Sequence, residues 1–318
     1  MLPFNSFSLI DKDCMLKKIL VSVFAVMLSM SSISNAQTTL MDSLKNNIAK
    51  ANNETNKLSA VMHLCDNWES CNKDTMQHYA LIVEKMATNQ NNTIAKLYAQ
   101  YYMAVYLLEE NKLDTALRKT NELIAIAKKT LPYGDIYLRL YRLKGNILSR
   151  GNQANELARN SFELLKLAED NNDTTGMISA KTSIGNANLK MEKFQDAIQW
   201  QRQALKLMNN PFYKRKMCIV YLNMAAPFND GIKNFDSAEY YMKLCIQYAY
   251  ESGNLVNENK AENVYGSVLS RLGRINEAEA AFQKAVQLEK QIGDSYYIAA
   301  GVNMLGEFYA NIRACLKL

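Results

Sequence analysis

A chain of 318 residues with 48% hydrophobic and 21% charged side chains can bury a core, and its length fits two ordinary domains or one extended array. Only 12 glycines and 4 prolines stand against many Ala, Leu, Lys, Asn and Met, a balance that favours helices over sheets and makes all-α the expected fold class. The net charge of +6 is interspersed rather than gathered into a basic stripe, the pattern of a solvated surface, which argues against nucleic acid as a partner.

The first local signal is MLKKILVSVFAVMLSMSSISNAQ from Met15: two lysines, an apolar run from Ile19 to Leu28, then small and polar residues closing with Ser34, Asn35 and Ala36. This is the layout of a secretory signal peptide over residues 15–36, so cleavage after Ala36 and an exported, periplasmic location are expected. The apolar run is about half of the ~20 residues a membrane-spanning helix needs. Residues 1–14 carry Asp11 and Asp13 and make an odd leader, so Met15 is the expected start. Gln37 and Thr38 stand where a lipoprotein would need a cysteine.

Export makes the compartment oxidising, yet of the six cysteines Cys14 is expected to leave with the leader, and the remaining Cys65, Cys71, Cys218, Cys245 and Cys315 are odd in number and scattered, which is no disulfide framework. Cys65 and Cys71 either bridge a helix end and the turn after it or remain one buried and one surface thiol. Cys218 and Cys245 fall on the two helices of one hairpin, where they either bond or serve as small-residue packing. The chain's two histidines, His63 and His78, flank Cys65 and Cys71, but His63 and Cys65 lie on nearly opposite faces of a helical segment, so no metal site is expected. There is no Gly-rich phosphate loop, H-E-x-x-H or G-x-S-x-G, and neither enzyme chemistry nor a cofactor is expected.

Internal repetition organises the rest. Residues 184–204, IGNANLKMEKFQDAIQWQRQA, and 265–285, YGSVLSRLGRINEAEAAFQKA, both place alanines twelve and nineteen positions after a glycine: Gly185, Ala197, Ala204 and Gly266, Ala278, Ala285. A third copy keeps Ala104 and Ala116 but has Leu123, and a fourth, with one inserted residue, has Ala225, Ala238 and Cys245. Gly145 opens a weaker copy with Leu157 and Leu164, and Gly306 opens the last. Gly145 to Gly185 and Gly266 to Gly306 are each 40 residues. Small residues on a first helix let a second, antiparallel helix approach, and alanines seven apart share one face at two turns. Each unit is then a helical hairpin that must stack on its neighbours to bury its apolar side. Pro227, in MAAPFNDG, either kinks or stops the first helix near Ala226, or the helix ends there and NDGIKN is a long turn. The many tyrosines, Tyr101, Tyr102, Tyr240 and Tyr241 among them, fall at helical spacing and read as repeat packing.

Through Gly185, Ala197, Ala204, Gly266, Leu269, Ala278, Phe282 and Ala285, the units resemble tetratricopeptide repeats (TPR), lengthened from the family period of about 34. The resemblance covers residues 55–318 and implies a right-handed superhelical solenoid, with 37–318 forming six to seven hairpins, the last incomplete. In TPR proteins the concave surface is lined by the first helices. Counting each glycine as position eight, the inward positions hold Arg139, Arg142, Asn146 and Ser149, then Thr182 and Asn186, then Asn259, Asn263 and Ser267, then Asn303. Asn suits an extended peptide backbone and an Arg pair suits a carboxylate, so Arg139, Arg142, Asn146, Asn186, Asn263 and Asn303 are the candidate groove residues. The alternative is that an Asn-rich chain places Asn wherever it is exposed.

The resemblance implies a non-catalytic exported module that binds a protein or peptide. More specifically, it resembles the sensory part of Bacteroidetes-type membrane regulators, in which a membrane helix and a kinase or DNA-binding output follow the array. Membrane contact is then expected only through a downstream span. The alternative is a stand-alone periplasmic scaffold for envelope or uptake complexes. The last helix carries Leu305, Phe308, Ile312 and Leu316, and the alanine expected twelve residues after Gly306 coincides with the terminal Leu318, so the array is expected to continue.

Overall fold

A computed structural model describes residues 35–67, 73–292 and 295–315, and among them it contains fourteen α-helices and no strand. An opening helix, α1 (Asn35–Ala49), precedes six helical hairpins. These are α2 (Glu54–Asp66) with α3 (Lys73–Asn89), α4 (Thr93–Glu109) with α5 (Leu113–Thr130), and α6 (Asp135–Arg150) with α7 (Ala154–Asp170). They continue with α8 (Thr174–Lys190) and α9 (Phe194–Lys206), α10 (Lys214–Ala226) and α11 (Phe235–Glu251), and α12 (Leu255–Arg271) and α13 (Ile275–Ile292). The helix α14 (Ser295–Cys315) follows.

The register of small residues is the hairpin interface. Ala104, Ala116, Ala197, Ala204, Ala225, Ala238, Cys245, Ala278 and Ala285 are all buried to within 1% of full burial, and Gly145, Gly185 and Gly266 are buried with them. A side-chain carbon at Gly266 would stand 2.9–3.0 Å from the ring of Phe282, so that helix crosses its partner at glycine distance. The weak copy forms the same hairpin: Leu157 and Leu164 are both 2% exposed in the places of alanine.

Turn chemistry sets the period. Asn111, Asn152, Glu192, Lys233 and Gly273 adopt left-handed backbone, at intervals of 40 or 41 residues, each in the turn inside a hairpin. Asn91, Asn172 and Gly253 do so in turns between hairpins. Asn tolerates this conformation better than other side chains, and Asn53, Asn92, Asn234 and Asn254 also cap helix N-termini through their side-chain oxygens. Much of the chain's asparagine is therefore turn and cap chemistry.

At Pro227 the α-helix stops, as expected, but the chain does not leave the helical path. Residues Pro227–Ile232 continue α10 as a wider π-turn, closed by left-handed Lys233. Proline has no N–H to donate, and the wider turn accommodates its ring. This segment is pinned on two sides. Gly231 lies against the ring of Phe194, where any side-chain carbon would come within 2.4 Å, and Arg271 donates to the carbonyl of Asn229 at 2.6 Å.

The apolar residues of α14 turn back onto the preceding hairpin. Phe308 is 4% exposed in a cluster with Leu269, Ala278, Ala281 and Phe282, with Met304, Leu305, Tyr309 and Ile312 packed around it. Leu316 lies outside the described residues. No helix among those described is long and apolar enough to cross a membrane.

Candidate ligand-binding face of the first helices

Beyond neighbours in the chain, successive first helices touch one another: α2 with α4, α4 with α6, α6 with α8, α8 with α10 and α10 with α12. They form one continuous row, which is the closely spaced inner side of a stack of hairpins.

In the first half of that row the polar side chains satisfy each other. Arg139 of α6 donates from Nη1 to Asp66 Oδ1 at 2.5 Å, from Nη2 to Asp66 Oδ2 at 3.3 Å, and from Nε to Asp135 Oδ2 at 2.5 Å. Its guanidinium lies 5.5 Å from the ring centre of Tyr98 and 6.0 Å from that of Tyr101. Tyr98 donates its hydroxyl to Asp135 and Tyr102 donates to Asp66, each at 2.8 Å. Burial opposes the charge of Arg139, but Asp135 and Asp66 outweigh it and raise its pKa. Burial first, and these carboxylates second, also push the hydroxyls of Tyr98 and Tyr102 well above their ordinary range. Arg139 is thus a strut across α2, α4 and α6, with both flanking carboxylates already taken.

The remaining candidates divide. Arg142 and Asn146 are exposed on α6, and neither makes a hydrogen bond or ion pair among the described residues. Asn303 is exposed on α14. Asn186 is half-buried and its side-chain oxygen accepts from Gln201 Nε2 at 3.2 Å, while the same Gln201 nitrogen donates to the carbonyl of Thr182 at 3.1 Å. Asn263 lies inside its hairpin, 7% exposed, beside Asn259 at 2%, and both donate to Glu289 Oε1, at 3.4 and 2.9 Å. A helical wheel counts both asparagines as inward, but α13 crosses this part of α12 and covers them.

The second half of the row holds a cation that the sequence reading passed over. Lys216 stands in the first turn of α10, whose opening Lys-Arg-Lys faces the positive end of the helix dipole. Lys214 is relieved by Glu251 at 2.7 Å. Lys216 is not: its ammonium is shielded from solvent, has no hydrogen-bond partner, and lies 5.8 Å from the ring centre of Tyr213. Burial, with Arg142 nearby, pushes its pKa down to about 8 against the pull of Asp173. Arg142 and Lys216, from α6 and α10, are near enough for each to sense the other's charge, with Asp173 the carboxylate that acts on Lys216, and neither side chain has a hydrogen-bond or ion-pair partner among the described residues. Counted from Ala225 as position eight, the inward positions of this helix begin at Ile219 and Leu222 and do not reach Lys216, and the Lys-Arg-Lys start is the signal that could have found it.

His63 and His78 are both exposed, and Cys71 lies outside the described residues. No group of three His, Cys, Asp or Glu side chains is gathered as metal ligands among the described residues.

Stacked hairpins with a continuous inner row of first helices define a TPR-like helical solenoid. More particularly, residues 263–292, the second half of α12 together with α13, match the family model of the tetratricopeptide repeat. The fold is similar to that of a Rap protein solved in complex with Competence and Sporulation Factor, with TM-score 0.60 and 11% identity over 89% of this chain and 83% of that one. RapI in its apo form matches with TM-score 0.53 and 12% identity over 81% of this chain and 99% of that one. BtubC (BKLC) from P. vanneervenii matches with TM-score 0.54 and 15% identity over 70% and 93%. No curated protein matches the chain.

Proposed function

We propose that this protein is a non-catalytic scaffold that holds an acidic protein or peptide segment along its inner row, with Lys216 and Arg142 receiving a carboxylate. The observation that carries this reading is the Lys216 ammonium, desolvated and without a partner. An unpaired buried charge destabilises a fold, and local rules broken in this way cluster at functional sites. Asp66 and Asp135 neutralise Arg139, which leaves the half of the row around Arg142 and Lys216 as the receptive part. The Rap complex supports the reading by showing that a solenoid of this kind can hold a ligand. In the finer form of the proposal the array is exported, on the strength of the leader pattern at residues 15–36, and forms the sensory part of a membrane-anchored regulator.

The test is a titration of a short fluorescein-labelled glutamate-rich peptide followed by anisotropy, with a glutamine-rich peptide as control. Binding to the glutamate peptide alone is expected, falling about tenfold in Lys216→Met and in Arg142→Met, which corresponds to ~1.4 kcal/mol each. No binding, or binding indifferent to both substitutions, overturns the groove reading and favours a scaffold that uses other parts of the surface.

A further inference from the structure

Cys218 on α10 and Cys245 on α11 face each other across one hairpin, their sulfurs 3.4 Å apart and both side chains buried. The repeat register shows that the fold brings these two positions together. Cys218 lies seven residues before the small residue Ala225, as Asn259 lies seven before Gly266, and Cys245 stands where that hairpin has Ala285. In the α12–α13 hairpin the same two positions meet: Asn259 Nδ2 donates to the carbonyl of Ala285 at 2.9 Å. Elsewhere the register pairs Ile178 with Ala204, Leu138 with Leu164 and Leu97 with Leu123. Small-residue packing accounts for Cys245 alone, since alanine is its usual counterpart. It does not account for Cys218, whose counterparts are Asn, Ile and Leu.

We propose that Cys218 and Cys245 form a structural disulfide that staples the first helix of this hairpin to the second. A disulfide needs the sulfurs about 2.0 Å apart, a closure of ~1.4 Å that side-chain torsions on two facing helices supply. The bond forms by exchange with an oxidant of the protein or glutathione disulfide class. One thiol loses its proton and attacks the oxidant's disulfide, one sulfur of which leaves as a thiol. The second thiol then displaces the remaining oxidant sulfur, so two protons and two electrons pass to the oxidant as one S–S bond forms. The staple would close the segment containing the π-turn into a loop and anchor the helix that carries Lys216.

The test uses the full chain folded in a mixture of reduced and oxidised glutathione, denatured without reductant, alkylated and digested with trypsin. The expected product is Met217–Lys233 joined to Leu244–Lys260, lost on reduction. The oxidised protein is expected to melt several degrees above the reduced one, and Cys245→Ala, which restores the alanine of the other repeats, to melt at the same temperature in both conditions. Cys218 and Cys245 both alkylated, or either joined to a different cysteine, overturns the proposal, as does an equal redox shift in Cys245→Ala.

Discussion

Asp66 and Arg139, 73 positions apart in sequence, meet in a two-point ion pair that ties the first helix of one hairpin to the first helix of the next but one. Their side chains are 30% and 27% exposed, so solvent screens the pair only in part. Removing one partner leaves the other desolvated beside an aromatic ring. Arg139→Ala and Asp66→Ala are each expected to lower stability by ~1–3 kcal/mol, and the double variant by less than their sum, with coupling of about 1 kcal/mol. Urea melts of the four proteins measure it. Additive losses would mean that Arg139 acts through Asp135, Tyr98 and Tyr101 rather than through Asp66.

Lys216→Met is expected to raise stability while weakening ligand capture. The amine's pKa falls from 10.5 to about 8 on folding, so the folded state disfavours its charged form. The penalty is full below pH 8, where both states are charged, and disappears as pH rises from 8 towards 10.5. Because the side chain is only half-buried, solvent reduces the gain to ~1–2 kcal/mol at pH 7. Thermal melts of wild type and variant should converge between pH 8 and 10.5. A constant difference would assign the effect to packing.

The architecture was legible because close packing leaves few choices: Gly185, Ala197 and Ala204 and their counterparts are small where two helices touch, and that pattern survives in the primary sequence. The inner face was less legible. A wheel position says which way a residue points from its own helix, but it does not say whether the next helix covers it, as α13 covers Asn263, or whether a distant carboxylate claims it, as Asp66 claims Arg139. Lys216 escaped because it lies nine residues before Ala225, ahead of the positions that an inward count takes. The stop at Ala226 followed from proline's missing N–H, but its continuation as a π-turn depends on Phe194 and Arg271, which belong to other hairpins.

Glu289 predicts a second pH dependence, of opposite slope. Its carboxyl is 1% exposed, accepts from Asn259 and Asn263, and lies against the backbone of α14 at Gly301. Burial raises its pKa above the ordinary 4.5, although the two asparagines pull the other way. The folded state thus keeps the proton longer than the unfolded chain. Stability from this group is full below pH 4.5 and falls as pH rises through the folded value. Glu289→Gln removes the dependence. The variant should gain on wild type as pH rises above 4.5, in chemical melts taken from pH 4 upwards, and a difference that does not change with pH would contradict the assignment. Comparison with the variant is needed because Glu110, Glu163, Glu239 and Glu277 have lowered values and the reverse slope.

Two glycines at the same repeat position should respond in opposite ways to alanine. At Gly266 the new carbon would lie 2.9–3.0 Å from the Phe282 ring. Phe282 is 4% exposed, with the ring of Phe308 5.1 Å away, centre to centre, so it has little room to retreat. Overpacking of this kind costs about 1–3 kcal/mol and outweighs the ~1 kcal/mol by which alanine favours a helix over glycine. At Gly145 the nearest atoms are Leu157 Cδ1 at 3.5 Å and Asn160 Nδ2 at 3.6 Å, both ordinary contact distances. There the helix preference stands unopposed. Gly266→Ala should therefore lower the urea midpoint and Gly145→Ala should leave it unchanged or raise it, with equal slopes in both. Loss of stability in both would mean that the α6–α7 hairpin is packed as tightly as α12–α13, despite the leucines it carries in place of alanine.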